Sequence, residues 1–113
     1  MSVSPAPAKR VAVVTGSSSG IGRATALALA RAGYAVVLHA RSNVGGLQQV
    51  AHELQSTVAK STPNTLCLTG DIACPQTCND IVHSAFAWQG RVDAWINNAG
   101  ADVLTGRARQ QSF

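Results

Sequence analysis

The 113-residue chain is 46% hydrophobic and 12% charged, which excludes a disordered tail and suits one globular domain with a single core. Its formal charge of +4 comes from scattered basic residues, with Lys9-Arg10 the one adjacent pair, so no basic stripe marks a nucleic-acid partner and one anionic ligand would fit the imbalance. No stretch approaches the ~20 consecutive apolar residues that span a bilayer, so no membrane association and a cytoplasmic location are expected.

Residues 1–9 mix Ser, Pro and Ala without the apolar centre of a signal peptide and are expected to form a flexible lead-in. The domain is placed at residues 10–106. Val11 to Val14 is a short continuous apolar run, the pattern of a strand covered on both faces. Gly20 to Ala32 is rich in Ala and Leu and reads as a helix stopped by Gly33. Ala35 to Leu38 gives a second strand, followed by a polar turn around Ser42-Asn43. Leu47, Ala51, Leu54 and Val58 then recur on one helical face, with Gln48, His52 and Gln55 turned outward. Pro63 lies just beyond that helix, in a turn.

Thr65 to Thr69 reads as a third strand and Asp71 to Pro75 as a loop. Ile81, Ala85 and Trp88 form the apolar stripe of a third helix that ends near Gly90. Val92 to Ile96 is a fourth strand, running into Asn97-Asn98-Ala99-Gly100. The three cysteines, Cys67, Cys74 and Cys78, cannot form a closed disulfide set and are expected as buried or half-buried thiols around a helix start. Cys74, Cys78 and His83 lack CxxC spacing and an evident fourth ligand, so no metal site is expected.

The order β-α-β-α-β-α-β predicts an α/β fold of Rossmann type, a doubly wound parallel sheet truncated after the fourth strand. Residues 107–113 are polar and read as a truncated tail. A four-stranded sheet of this kind leaves Val92 to Ile96 with an unpaired apolar edge.

Thr15-Gly16-Ser17-Ser18-Ser19-Gly20-Ile21-Gly22 stands between the first strand and the first helix, where a phosphate-binding turn belongs in such a sheet. Gly16 permits a sharp exit from the strand, Gly20 lets a pyrophosphate approach the backbone, and Gly22 lets the helix lie close. The N–H groups of Ile21 and its neighbours at the helix start would meet the phosphates, and Ser17, Ser18 and Ser19 can add hydroxyl donors. No Gly-Lys-Ser/Thr ends the turn, so it is not a Walker loop.

The spacing is GxxxGxG, not GxGxxG, and with Asn97-Asn98-Ala99-Gly100 about 80 residues later it resembles the short-chain dehydrogenase/reductase family. The resemblance also takes in Asp71-Ile72 after the third strand. It implies that Asp71 contacts the adenine ring through its side chain and Ile72 through its backbone. It further implies that Asn97, Ala99 and Gly100 lie beside the adenosine and its ribose, while Asn98 is mainly structural.

An NAD-preferring site places an Asp or Glu at the end of the second strand to bind the adenosine-ribose hydroxyls. Ala40 occupies that place, and Arg41 follows with Ser42 and Asn43 as further donors. A guanidinium fork suits a 2′-phosphate, so Arg41 and Ser42 favour NADP(H) over NAD(H).

The resemblance implies an NADP-dependent oxidoreductase that reduces a carbonyl or oxidises an alcohol by hydride transfer, with a homo-oligomeric full-length form. In that family a Tyr with a Lys four residues on supplies the proton, and a Ser and an Asn complete the relay. None can be placed here: Tyr34, the sole tyrosine, has Leu38 four residues on. No catalytic residue is carried over, and the chain alone is expected to be inactive. The alternatives are a non-catalytic dinucleotide-binding module and a non-functional truncated product.

Overall fold

The first two strands are apolar at every position bar one because the sheet is covered on both sides. The computed structural model describes residues 10–57 and 65–99, so the expectations for residues 1–9, Val58, Pro63, Gly100 and 107–113 lie outside it. Its elements in chain order are β1 (Val11–Val14), α1 (Gly20–Arg31), β2 (Ala35–Ala40), α2 (Val44–Thr57), β3 (Thr65–Thr69), α3 (Pro75–Gln89) and β4 (Ala94–Ile96). The four strands form one parallel sheet in the order β3-β2-β1-β4. This is the Rossmann-type α/β arrangement that the sequence predicts.

Alternation along the strands sorts the core into two layers, as the two-residue period of a pleated strand requires. Val14, Val36, Leu38 and Ala40 pack with Ala26 and Ala30 of α1 and with Leu47, Val50 and Leu54 of α2. Val11, Val13, Ala35 and Val37 face the other way, with Ala85 of α3. Small side chains on α1 bring that helix close to the sheet. Among the described residues, no helix is long and apolar enough to cross a membrane.

Gly33 ends α1 as its position predicts. Its φ is 97°, and the bonds Gly33 N–H to Ala30 O and Tyr34 N–H to Leu29 O, both 3.0 Å, form a Schellman cap. Asn43 caps α2, its Oδ1 accepting the Gly46 N–H at 2.9 Å. On α2, Leu47 and Leu54 are buried and Ala51 half-buried, and Val50 joins the same face.

Three sequence expectations need correction. β2 continues past Leu38 to Ala40, because His39 is buried with both ring nitrogens bonded and pairs with Leu68 of β3. β4 begins at Ala94 and not at Val92: Asp93 instead turns its carboxylate onto the Val11 N–H at 2.8 Å, which closes the start of the β1–β4 pairing. The cysteines do not cluster as buried thiols around a helix start, since Cys67 on β3 and Cys74 are exposed and only Cys78 is half-buried. β3 has one strand neighbour in this sheet, and that leaves its side chains more open than those of β2.

Candidate functional site

The chain builds β2 and then β3 to one side of β1 and crosses back to lay β4 on the other, so β1 and β4 are neighbours whose connections leave in opposite directions. The crevice beyond the carboxyl ends of two such strands is where an open α/β sheet accepts a ligand. The turn Thr15–Gly22 and the segment Asn97–Ala99 both open onto it.

Thr15 laces the two together. Its N–H donates to Ile96 O at 3.0 Å, and its buried hydroxyl accepts the Ala99 N–H at 2.9 Å while lying 3.2 Å from Asn97 Oδ1. Asn98 adds a bond from Nδ2 to Gly16 O at 2.9 Å. Asn97 is exposed and Ala99 half-buried, so both border the crevice.

The glycines of the turn answer to different demands. Gly16, at φ 63°, adopts a conformation that side-chain-bearing residues avoid, and a Cβ there would press on Ala99 Cα at 3.0 Å. A Cβ at Gly22 would meet Gly16 O at 2.1 Å and Asn98 Nδ2 at 2.7 Å, so this position admits no side chain. Gly20 has φ 61°, and among the described residues no atom lies within 4 Å of where its Cβ would sit. That space is open for a ligand.

Backbone donors can be accounted for one by one. The Gly16 N–H donates to His39 Nδ1 at 3.1 Å, and the Ser17 N–H to His39 O at 2.7 Å. The Ser17 hydroxyl is buried between the N–H and carbonyl of His39. The first bond of α1 runs from Arg23 N–H to Ser19 O, so the N–H groups of Gly20, Ile21 and Gly22 stand outside the helix's own ladder. Ser19, at the N-cap, makes no side-chain capping bond, and no acid in the first turn offsets the positive end of the dipole. An anion placed over Gly20 would therefore meet three donors that have no partner among the described residues, and a favourable field. The Ile21 side chain, 75% exposed, lies at the rim.

At the end of β2, Ala40 is buried and offers no carboxylate. Arg41 and Ser42 are exposed, and the Arg41 side chain, 80% accessible, reaches to 3.7 Å from Asp71 Oδ2. The other Asp71 oxygen accepts the Ala73 N–H at 3.0 Å, which orients the carboxylate beside half-buried Ile72. Arg41 and Asp71 thus flank one corner of the crevice from β2 and from the β3–α3 loop.

Sequence reasoning picked out the turn, Arg41, Asp71 and the Asn97–Ala99 segment. It missed His39, whose ring touches both the turn and that loop. A histidine inside an otherwise apolar strand was the available signal.

A family model described as short chain dehydrogenase matches residues 10–112. The chain belongs to the short-chain dehydrogenase family. It is 39% identical over 93 residues to an NADPH-dependent pterin aldehyde reductase of Arabidopsis thaliana, covering 82% of this chain and 36% of that protein. It is 34% identical over 91 residues to an L-rhamnose 1-dehydrogenase (NAD(P)(+)) of Sphingomonas, with 80% and 34% covered. Among solved structures it resembles a metagenomic short-chain oxidoreductase in complex with NADP, at a TM-score of 0.68 and 32% identity over 76% of this chain and 37% of that one. The chain therefore spans about a third of the length of these relatives.

Proposed function

We propose that this chain forms the coenzyme-binding portion of an NADP(H)-dependent oxidoreductase that reduces a carbonyl or oxidises an alcohol. The observation that carries the coenzyme choice is the end of β2, where buried Ala40 stands in the place of a ribose-binding acid and the accessible Arg41 guanidinium follows it. Ala40 puts no carboxylate of its own against the 2′ position of an adenosine ribose, and the nearest acid, Asp71, lies 3.7 Å from the Arg41 guanidinium. That guanidinium offers a forked pair of donors to a phosphate.

The dinucleotide fits the space and donors present. The helix-start N–H groups of Gly20, Ile21 and Gly22, with the Ser18 and Ser19 hydroxyls, would hold the pyrophosphate. Gly16 and Ser17 would shape that turn through their bonds to His39 and Asn98. Arg41 and Ser42 would hold the 2′-phosphate, Asp71 and Ile72 the adenine, and Asn97, Ala99 and Gly100 the adenosine ribose side. When bound, the nicotinamide gives or takes a hydride.

Tyr34 does not supply the accompanying proton, because it packs half-buried against the core formed by α1, α2 and the sheet. By this reading residues 1–113 on their own bind coenzyme without turning it over, and the substrate is gripped by groups other than the ones placed here. An NADPH-dependent relative and a relative solved with NADP support the coenzyme choice, while the L-rhamnose dehydrogenase, named for both coenzymes, makes a direct comparison necessary.

Arg41→Asp tests the assignment. Loss of a charge-assisted pair at ~1.5–3 kcal/mol corresponds to roughly 10- to 150-fold weaker NADPH binding, with NADH little changed. Equal loss of both coenzymes would refute the role given to Arg41.

A further inference from the structure

His39 is 1% exposed, near the carboxyl end of the inner strand β2, and its ring joins two loops that no other side chain bridges among the described residues. The Gly16 N–H lies 3.1 Å from Nδ1, and Nε2 lies 2.8 Å from Gly70 O. A backbone N–H can only donate, so Nδ1 must accept. A backbone carbonyl can only accept, so Nε2 must carry the proton. The two contacts are compatible with one species alone, the neutral imidazole protonated at Nε2.

The rest of the residue reinforces the link. His39 O accepts the Ser17 N–H at 2.7 Å, and the His39 N–H donates to Ser17 Oγ at 2.9 Å. His39 thus occupies the donors of Gly16 and Ser17 at the start of the turn and leaves those of Gly20, Ile21 and Gly22 facing the crevice. On its other side the ring bonds the residue before Asp71. Gly70, at φ 147°, is followed directly by that acid, and its own N–H donates to Ala40 O at 3.1 Å.

We infer that His39 is a positioning residue for the coenzyme: its neutral ring holds the pyrophosphate turn at Gly16 and the adenine wall at Gly70–Asp71 at a fixed spacing. This rests on the dinucleotide reading above, since a ligand spanning both loops is what makes their spacing matter. His39 touches no ligand itself. It acts through Gly16 and Gly70.

Two conservative variants separate the links by reach. His39→Asn keeps an acceptor at the place of Nδ1 and is too short to meet Gly70 O, whereas His39→Gln reaches Gly70 and gives up the Gly16 acceptor. His39→Leu removes both. In the full natural polypeptide that carries this sequence, NADPH affinity is expected to fall about tenfold or more in His39→Leu, with both polar variants between it and the parent. His39→Asn is expected to recover more than His39→Gln, because the Gly16 link shapes the pyrophosphate turn.

Long-range proton–nitrogen spectra of the parent protein at pH 8, without coenzyme, are expected to show His39 with a bare Nδ1 and a protonated Nε2. A protonated Nδ1 would overturn the proposal, whatever the coenzyme. So would equal NADPH affinity in the parent, His39→Asn and His39→Gln proteins, a comparison that holds even when His39→Leu does not fold. Failure of the coenzyme reading would look different: the parent would bind neither dinucleotide, or would prefer NADH, with the His39 spectrum as expected.

Discussion

Asn98 donates its side-chain amide to Gly16 O at 2.9 Å, and the bare α-carbon of Gly22 lies against the same pair. Three residues from β1's exit, α1's start and β4's exit therefore meet at one point. A methyl group at Gly22 would sit 2.1 Å from the carbonyl that Asn98 holds. Gly22→Ala must push α1 away from the turn or break the Asn98 bond, a strain of about 1–3 kcal/mol by the usual cost of overpacking. We expect a lower melting temperature together with loss of measurable coenzyme binding, read by thermal denaturation and NADPH fluorescence titration. Gly20→Ala meets no atom among the described residues, so its stability loss is limited to the strain of a side chain at φ 61°, while its Cβ enters the space given to the pyrophosphate and should weaken NADPH binding.

The Thr15 hydroxyl supports the Asn97–Ala99 segment through the Ala99 N–H. Thr15→Val keeps the volume and strands that donor, so a stability loss of about 1–3 kcal/mol is expected. Thr15→Ser keeps the oxygen and should lose much less. Chemical denaturation of the two variants gives the comparison, and equal losses would show that the methyl group and not the hydroxyl matters.

Two surface ion pairs add to stability above the carboxylate range. Arg23 on α1 pairs with Glu53 on α2, Nε to Oε1 at 2.7 Å and Nη2 to Oε2, and this bond holds the Glu53 carboxyl below its ordinary 4.5. The Arg91 guanidinium, and after it the Val11 N–H, hold Asp93 below its ordinary 3.8. A carboxylate whose folded pKa is depressed stabilises the fold above its unfolded value and loses that contribution as pH falls through the folded one. The melting temperature should therefore stay level down to about pH 5 and drop below roughly pH 4.5. Glu53→Gln should lower the plateau and flatten the drop, which a pH series of thermal melts will show.

Cys74 stands at the start of α3, where the Thr77 N–H and hydroxyl and then the Gln76 N–H hold its thiol below the ordinary 9.0. It is also exposed, while Cys78 is half-buried. Cys74 should be alkylated several-fold faster than Cys78 near neutral pH, because the thiolate is the reactive form. Thr77→Val should reduce that lead. Peptide-resolved mass spectrometry after brief iodoacetamide treatment measures both, and faster labelling of Cys78 would contradict the assignment.

The fold was legible because its signals are local and repeat. Val11–Val14 announces a strand covered on both faces, and Gly33 closes α1 through a cap that few other residues can make. The turn was legible because only glycine fits at Gly16 and Gly22, a constraint that leaves its mark in spacing. What stayed hidden depends on partners far along the chain. His39 looks like an interruption of an apolar run until Gly16 and Gly70 are seen on either side of its ring. Asp93 looks like part of a strand until its carboxylate is seen to bond Val11. The approach of Arg41 to Asp71 spans 30 residues of sequence, and no periodicity encodes it.

The central claim is that this crevice takes a phosphorylated dinucleotide in preference to the plain one, and side-by-side equilibrium titration with NADPH and NADH tests it most directly. Saturable NADPH binding at least tenfold tighter than NADH is the predicted result, since one guanidinium–phosphate pair supplies at least ~1.4 kcal/mol. Equal affinities, or tighter NADH, would contradict it.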